Sequence, residues 1–129
     1  MNQAVDYSRY QTLKIESRGD AGHVLDVQMR ALNGKLPTAG HEGHAELTEV
    51  WRDIARDTGV RAVVLRGEGM GFSGGGDLGL VQDMAQDFAV RTRVWHEARD
   101  LVYNIINCDK PIVSAMHGPA VGAGLVAGL

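Results

Sequence analysis

Residues 72–78 read FSGGGDL and follow a short β-branched run, and residues 118–124 read GPAVGAG and follow a second apolar run. Each segment therefore stands where a buried strand gives way to a helix. Glycine lets backbone amides approach a ligand without obstruction by a side chain, and the first amides of a helix have no partner inside it. Two such glycine-rich turns, if they converge, predict a site for negative charge that develops on an oxygen atom.

The sequence around these turns predicts an α/β protein. Two segments of alternating polar and apolar residues flank a glycine-containing turn at 18–22, which indicates a β-hairpin. Strand, helix and strand then follow in an order that is typical of a parallel crossover. The predicted strands cover residues 10–17, 23–29, 60–65 and 112–116. The predicted long helices cover residues 42–57 and 87–107.

Both long helices are predicted to be amphipathic, with one face against the sheet. On the first helix the apolar positions are Leu47, Val50, Trp51, Ile54 and Ala55. On the second helix they are Val94, Ala98, Leu101 and Ile105, with Trp95 and Val102 beside them. The polar residues of the second helix, Glu97 and Asn104 among them, are expected on its opposite face.

Composition favours a soluble, globular, cytoplasmic protein. The 129 residues are 44% apolar with a formal net charge of -3, and the basic residues are scattered, which disfavours nucleic acid and anionic membranes as partners. No apolar stretch is long enough to cross a membrane, and residues 1–10 are polar. The single cysteine, Cys108, excludes an internal disulfide and is expected to be a buried thiol. The helix that begins near Gly122 stops without a cap, so we expect the native chain to continue.

The two glycine-rich turns resemble the two signatures of the crotonase superfamily, the enoyl-CoA hydratase/isomerase family. Residues 72–78 are similar to the family's F-[SCA]-[AG]-G-[AG]-D-[LI] loop, and residues 110–124 resemble its K-P-x-[IV]-[AS]-x-[IVM]-x-G-x-[AC]-x-G-[AG]-G signature. The resemblance covers residues 10–129 and implies an α/β, ClpP/crotonase-like spiral of β-β-α units. Residues 1–129 would form the N-terminal part of a single acyl-CoA-binding core domain, without the C-terminal oligomerisation helices.

This resemblance implies an acyl-CoA thioester as substrate, with no metal or redox cofactor. Its carbonyl oxygen would lie between the backbone amides of Gly76 and Ala123, which would stabilise an enolate-like intermediate. The CoA portion would lie against Lys35, Ser73, Gly74, Gly75 and Gly76. Lys35 is the weakest of these assignments, because a loop lysine is commonly just exposed. The family implies a homotrimer or hexamer when the chain is full length.

One position departs from the hydratase pattern. Hydratases of the family place a glutamate two residues after the last glycine of the second turn, and Val126 stands there in this chain. Valine cannot transfer a proton. The reaction therefore stays open between a hydratase with one downstream acid, an isomerase or hydrolase with a differently placed acid, and a catalytically silent CoA-binding member.

Other polar side chains are weaker candidates. Asp83 and His96 could act as bases, because parts of the superfamily place bases in this stretch, although solvated surface is the simpler interpretation of both. Asp77 is expected to cap the helix that it precedes. His117 is expected to form a local hydrogen bond.

Two rival motifs are disfavoured. Residues 71–75 match G-x-S-x-G, the serine-hydrolase elbow, but the predicted strand ends near Arg66, which leaves residues 67–70 before this segment, and an elbow requires an immediate turn. An elbow serine also needs an aspartate and then a histidine later in the chain, and the residues available for these roles run only from Asp77 to His117. His41 and His44 stand three positions apart but lack a nearby third ligand, so a metal site is not expected.

Overall fold

The computed structural model describes residues 5–129; residues 1–4, part of the polar N-terminal segment considered above, lie outside the described residues. In chain order the elements are β1 (Leu13–Arg18), β2 (Val24–Met29), α1 (His41–Arg56), β3 (Ala62–Gly67), β4 (Ser73–Gly74), α2 (Leu78–Gln86), α3 (Phe88–Ile106), β5 (Ile112–Ala115), β6 (Ala120–Val121) and α4 (Gly122–Gly128). Four strands form one sheet in the order β1-β2-β3-β5, and β4 and β6 form a second sheet.

The predicted hairpin and crossover are confirmed. β1 pairs with β2 in antiparallel register, and the turn between them uses positive φ angles at Gly19 and Gly22. β2, β3 and β5 are parallel neighbours, so α1 and the α2–α3 pair are the crossover connections. Leu25, Val63 and Ile112 share one level of this sheet, which places apolar side chains on a common face.

α1 covers that face of the sheet. Its four largest apolar residues, at the predicted helical spacing, are buried in the core together with the strand residues. Trp51 and Ile54 are completely shielded from solvent, as are Val63 and Leu65 of β3. Burial of side chains of this size contributes about 2 kcal/mol each, so the core that α1 and β3 share is a main source of stability.

The predicted buried face of α3 is partly wrong. Val94 and Leu101 are buried, but Ala98 is exposed, and the polar residues Glu97 and Asn104 turn toward α1. Nδ1 of His44 lies 3.0 Å from a Glu97 carboxylate oxygen, and the Asn104 amide donates to the carbonyl of Thr48 at 2.8 Å. The face of α3 that packs against the protein therefore includes polar residues and differs from the predicted apolar face. A polar group that has a hydrogen-bond partner can be buried at little cost in free energy.

One smaller feature differs from expectation, and the helix predicted after the first glycine-rich turn is confirmed. Cys108 packs against the core but is only half-buried. The first glycine-rich turn opens a separate short helix, α2, before Asp87 caps α3 through bonds from the amides of Ala89 and Val90. Within residues 5–129, none of the helices is long and apolar enough to span a bilayer.

Candidate active site

The two glycine-rich turns meet because β4 pairs with β6. Ser73 lies opposite Ala120 and Gly74 lies opposite Val121 in a parallel register. The carbonyl of Pro119 accepts a hydrogen bond from the Ser73 amide at 3.0 Å. The convergence on which the predicted site depends is therefore present in the structure, and it is made by main-chain bonds.

The two turns approach each other closely at Gly75 and Gly122. A Cβ on Gly122 would lie 3.1 Å from the Cα of Gly75 and 3.9 Å from the nitrogen of Gly76. Gly75 and Gly122 also have positive φ angles of 83° and 64°. Side chains other than hydrogen are disfavoured in this backbone region. At Gly122 the close approach and the conformation both favour glycine, whereas at Gly75, where a Cβ would come no nearer than 3.5 Å to Val121, the conformation alone does so.

The amide of Gly76 faces away from the loop that supports it. Ala39 forms an isolated parallel bridge with Gly76: its amide donates to the carbonyl of Gly75 at 2.8 Å, and its carbonyl accepts from the amide of Asp77 at 2.9 Å. In a trans peptide the N–H points opposite to the C=O. Because the Gly75 carbonyl points to Ala39, the Gly76 N–H points to the other side. Among residues 5–129 it has no hydrogen-bond acceptor, and Gly76 is exposed.

The amide of Ala123 lies in the first turn of α4. The helix begins at Gly122, with Val121 as its N-cap residue, so Ala123 is the second helical residue and its N–H precedes any intrahelical acceptor. No acceptor for this amide is found in the described part of the chain. Main-chain donors without an internal acceptor can stabilise negative charge on a ligand oxygen.

The other amides of the first turn are already used. The Ser73 amide donates to the carbonyl of Pro119 at 3.0 Å, and the Gly74 amide donates to the carbonyl of Pro37 at 2.7 Å. The Gly75 amide donates to the Ser73 hydroxyl at 3.1 Å. Their role against the CoA portion stays a prediction. Any such contact would have to come from atoms other than these three N–H groups.

Lys35 lies beside the segment that leads into the first turn. Its carbonyl accepts from the amide of Met70 at 2.8 Å, and its own amide donates to the Asn33 side chain at 2.9 Å. Lys35 is exposed, so its ammonium group is accessible to an anionic ligand. Its predicted contact with CoA remains untested.

The hydroxyl of Ser73 has main-chain partners in place of a catalytic base. It accepts from Gly75 N–H at 3.1 Å and donates toward the carbonyl of Val121 at 3.4 Å. His117, a candidate partner for a hydrolase motif, instead has its Nε2 2.9 Å from the carbonyl of Gly69. This bond of His117 joins two distant segments, whereas a local bond was predicted.

Asp77 caps α2 as predicted, because its carboxylate accepts from the amide of Leu80 at 2.8 Å. Asp83, a candidate base, lies 2.7 Å from Nε2 of His41. His96 is exposed and lies against the ring of Trp95. Proton transfer by Asp83 or His96 stays a hypothesis.

His41 and His44 do not face each other across a common centre. His41 pairs with Asp83, whereas His44 pairs with Glu97 at 3.0 Å. Within residues 5–129 there is no group of three His, Cys, Asp or Glu side chains placed to hold a metal ion. Sequence reasoning considered His41 only as a metal ligand and did not single out Ala39, whose contribution is entirely main-chain.

The comparisons with known proteins agree with this arrangement. The model of the enoyl-CoA hydratase/isomerase family matches residues 28–129. The chain is 33% identical to the human mitochondrial Delta(3,5)-Delta(2,4)-dienoyl-CoA isomerase, over 97% of this chain and 40% of that protein. It is 33% identical to a 4-chlorobenzoyl coenzyme A dehalogenase of an Arthrobacter species, over 62% of this chain and 30% of that protein.

Solved structures confirm the crotonase-like fold. An enoyl-CoA hydratase/isomerase from Mycobacterium paratuberculosis superposes with a TM-score of 0.84 at 27% identity, over 94% of this chain and 47% of that chain. The chain therefore spans less than half of the length of these relatives. The predicted cytoplasmic location stays a prediction, because the human relative's name places that protein in mitochondria. The family match, together with two converging glycine-rich turns, shows that this chain belongs to the enoyl-CoA hydratase/isomerase family.

Proposed function

We propose that the protein binds an acyl-CoA thioester and stabilises its enolate through the amides of Gly76 and Ala123. The observation that carries this proposal is a pair of main-chain donors, on two adjoining turns, for which residues 5–129 provide no acceptor. A thioester carbonyl gains negative charge on oxygen when a proton leaves the neighbouring carbon. Donors already directed at that oxygen lower the energy of the charged state more than that of the neutral substrate.

The magnitude of this effect is large enough to matter. Removal of one such donor typically costs about 3 kcal/mol of transition-state stabilisation. The donors need no reorganisation during the reaction, because the Ala39–Gly76 bridge and the N-terminal turn of α4 hold them in place. The proton itself has to be moved by another group.

Double-bond isomerisation is the reaction that we favour within this chemistry. Val126 takes the position at which hydratases carry a glutamate, and it lies half exposed on α4 without any group that can activate water. The human relative that matches nearly the whole chain is by name a dienoyl-CoA isomerase. An isomerase needs an enolate-stabilising site and a proton shuttle, and it adds no water to the product.

The test is mass spectrometry of a panel of enoyl-CoA and dienoyl-CoA thioesters incubated with the complete protein in D₂O. Isomerisation predicts carbon-bound deuterium without addition of water. Water addition would instead establish a hydratase with its acid elsewhere, and free CoA would establish a hydrolase. A panel that stays unchanged, although the thioesters bind, would indicate a silent binding protein.

A further inference from the structure

We propose that the Ser73 hydroxyl is a positioning group that fixes the two amide donors relative to each other. This inference rests on the function proposed above, because it concerns the geometry of the same donors. It assigns Ser73 neither contact with the substrate nor a role in proton transfer.

The hydroxyl connects the two turns directly. Ser73 is only 4% exposed, so water does not compete for its bonds. It accepts from the amide of Gly75 and directs its own hydrogen toward the carbonyl of Val121, residues that belong to different turns. Gly75 immediately precedes one proposed donor, Gly76. Val121 is the N-cap residue of the helix that carries the other donor, Ala123.

Packing strengthens this connection. The hydroxymethyl group of Ser73 occupies the space that a Cβ on Gly124 would need. Gly124 is buried in the first turn of α4, so this turn rests directly on the Ser73 side chain. A change in the size or polarity of this side chain therefore alters how α4 sits on β4.

The peptide groups next to the donors are held from two sides. The Gly75 amide is bonded to Ser73, and the Gly75 carbonyl is bonded to Ala39 at 2.8 Å. Because peptide groups are planar, these two bonds together set the direction of the Gly76 N–H. Without the hydroxyl, the Gly75 amide would be a buried donor without a partner, which costs free energy unless the turn shifts.

Such a shift would weaken catalysis more than substrate binding. Stabilisation by fixed donors depends on their placement to a fraction of an ångström, and it acts on the charged state more than on the bound neutral substrate. The expected signature of a positioning residue is therefore a lower kcat with little change in KM.

The experiment compares Ser73→Ala with Ser114→Ala in the complete protein. Ser114 is a half-buried serine on β5 whose hydroxyl makes no recorded hydrogen bond within the described residues. We expect Ser73→Ala to lower kcat about tenfold with KM changed by less than about twofold, and Ser114→Ala to behave as the wild type. In difference infrared spectra, the thioester carbonyl of a bound carbon-13-labelled dienoyl-CoA should be less polarised in Ser73→Ala.

Ser73→Cys keeps the test decisive if the alanine variant does not fold. A thiol keeps a group near the position of the hydroxyl and is a weaker hydrogen-bonding group, so the same split between kcat and KM is expected in a variant that thermal unfolding shows to be folded. Unchanged kcat and an unchanged carbonyl band in either folded variant, with an active wild type, would overturn this inference alone. Complete loss of turnover, together with labelling of wild-type Ser73 by a fluorophosphonate, would replace it with a nucleophile. A wild-type protein that neither binds nor converts any thioester would remove the proposed function and this inference together.

Discussion

A Cβ atom on Gly122 would lie 3.1 Å from the Cα of Gly75. This contact, between two residues with positive φ angles, sets the separation of the turns that carry the Gly76 and Ala123 amides. The close approach of these two backbone segments therefore contributes to the spacing of the proposed donors, together with the Ser73 side chain.

Gly122→Ala should force the turns apart. The new methyl group would press on Gly75, and alanine is strained at a φ of 64°. We expect at least a tenfold loss of kcat and a destabilisation of about 1–2 kcal/mol, measured by steady-state kinetics and urea unfolding. Gly19→Ala is the matched control, because Gly19 has a similar φ of 83° but open space around it. It should show the loss of stability without the loss of turnover; an equal loss of turnover would argue against the contact.

Gly76→Pro should remove one donor from the site. Proline has no N–H, and deletion of one donor typically lowers kcat by about 100-fold or more. Gly76→Ala keeps the N–H, and its Cβ would meet its nearest neighbour, Val81, at an ordinary 3.6 Å. The alanine variant should therefore be much less impaired than the proline variant in the same D₂O assay, with circular dichroism to confirm folding. Equal activity of the two variants would show that this amide is not a donor.

Asp53 should make stability depend on pH. It is 3% exposed and accepts hydrogen bonds from Tyr10 at 2.5 Å, from Arg9 at 2.6 Å and from Arg56. Burial opposes ionisation, but these bonds outweigh it and lower the pKa of Asp53 below its ordinary value. Since the folded state holds the carboxylate more strongly than the unfolded state, this stabilisation is complete above a pH of about 4 to 5. It is lost as the pH falls through the lowered folded pKa.

Asp53→Asn should accordingly lower the free energy of unfolding by about 2 kcal/mol at neutral pH. It should also weaken the dependence of this free energy on pH in the acid range. Urea unfolding between neutral pH and pH values of about 2 to 3 measures both effects. Asp20 is an exposed aspartate for which the described structure records no hydrogen bond, so Asp20→Asn is the control and should leave the curve unchanged. If Asp53→Asn still loses as much unfolding free energy at low pH as the wild type does, other carboxylates cause that loss.

His41 should hold α2 in place. Its Nε2 lies 2.7 Å from Asp83 of α2, and its Nδ1 lies 2.5 Å from the guanidinium of Arg93 on α3. Arginine can only donate, so Nδ1 accepts and the proton sits on Nε2. We expect His41→Ala to accelerate hydrogen exchange of the α2 amides several-fold with little change in global stability, because exposed polar pairs contribute little to it. His96→Ala, which removes an exposed histidine of α3, should leave α2 unchanged. Faster exchange throughout the protein would contradict this local role.

Side-chain patterns were sufficient to predict much of the fold. Alternation in the hairpin and the helical spacing of Leu47, Val50, Trp51 and Ile54 identified the elements that form the core, because burial of apolar surface dominates there. The buried face of α3 could not be predicted from the helical spacing of its apolar residues. The burial of Glu97 and Asn104 depends on partners in α1 that are about 50 positions away in sequence.

In the candidate site, too, some features could be predicted from the sequence and others could not. The two glycine-rich turns were recognisable from sequence, because glycine reports a backbone that needs space. The Ala39–Gly76 bridge and the two-residue strands β4 and β6 were not, since main-chain bonds place no demand on residue type. The His41–Asp83 pair was also missed, because nothing in the local sequence of either residue indicates the other.

The pairing of β4 with β6 has a consequence for how the protein folds. It joins Ser73 to a segment 48 positions later in the chain, with α2, α3 and β5 between them. Closing a loop of this length costs chain entropy before any contact in the turns can repay it. The first turn therefore leaves the ribosome long before its counterpart, and the anion-stabilising pair exists only after the intervening crossover has docked.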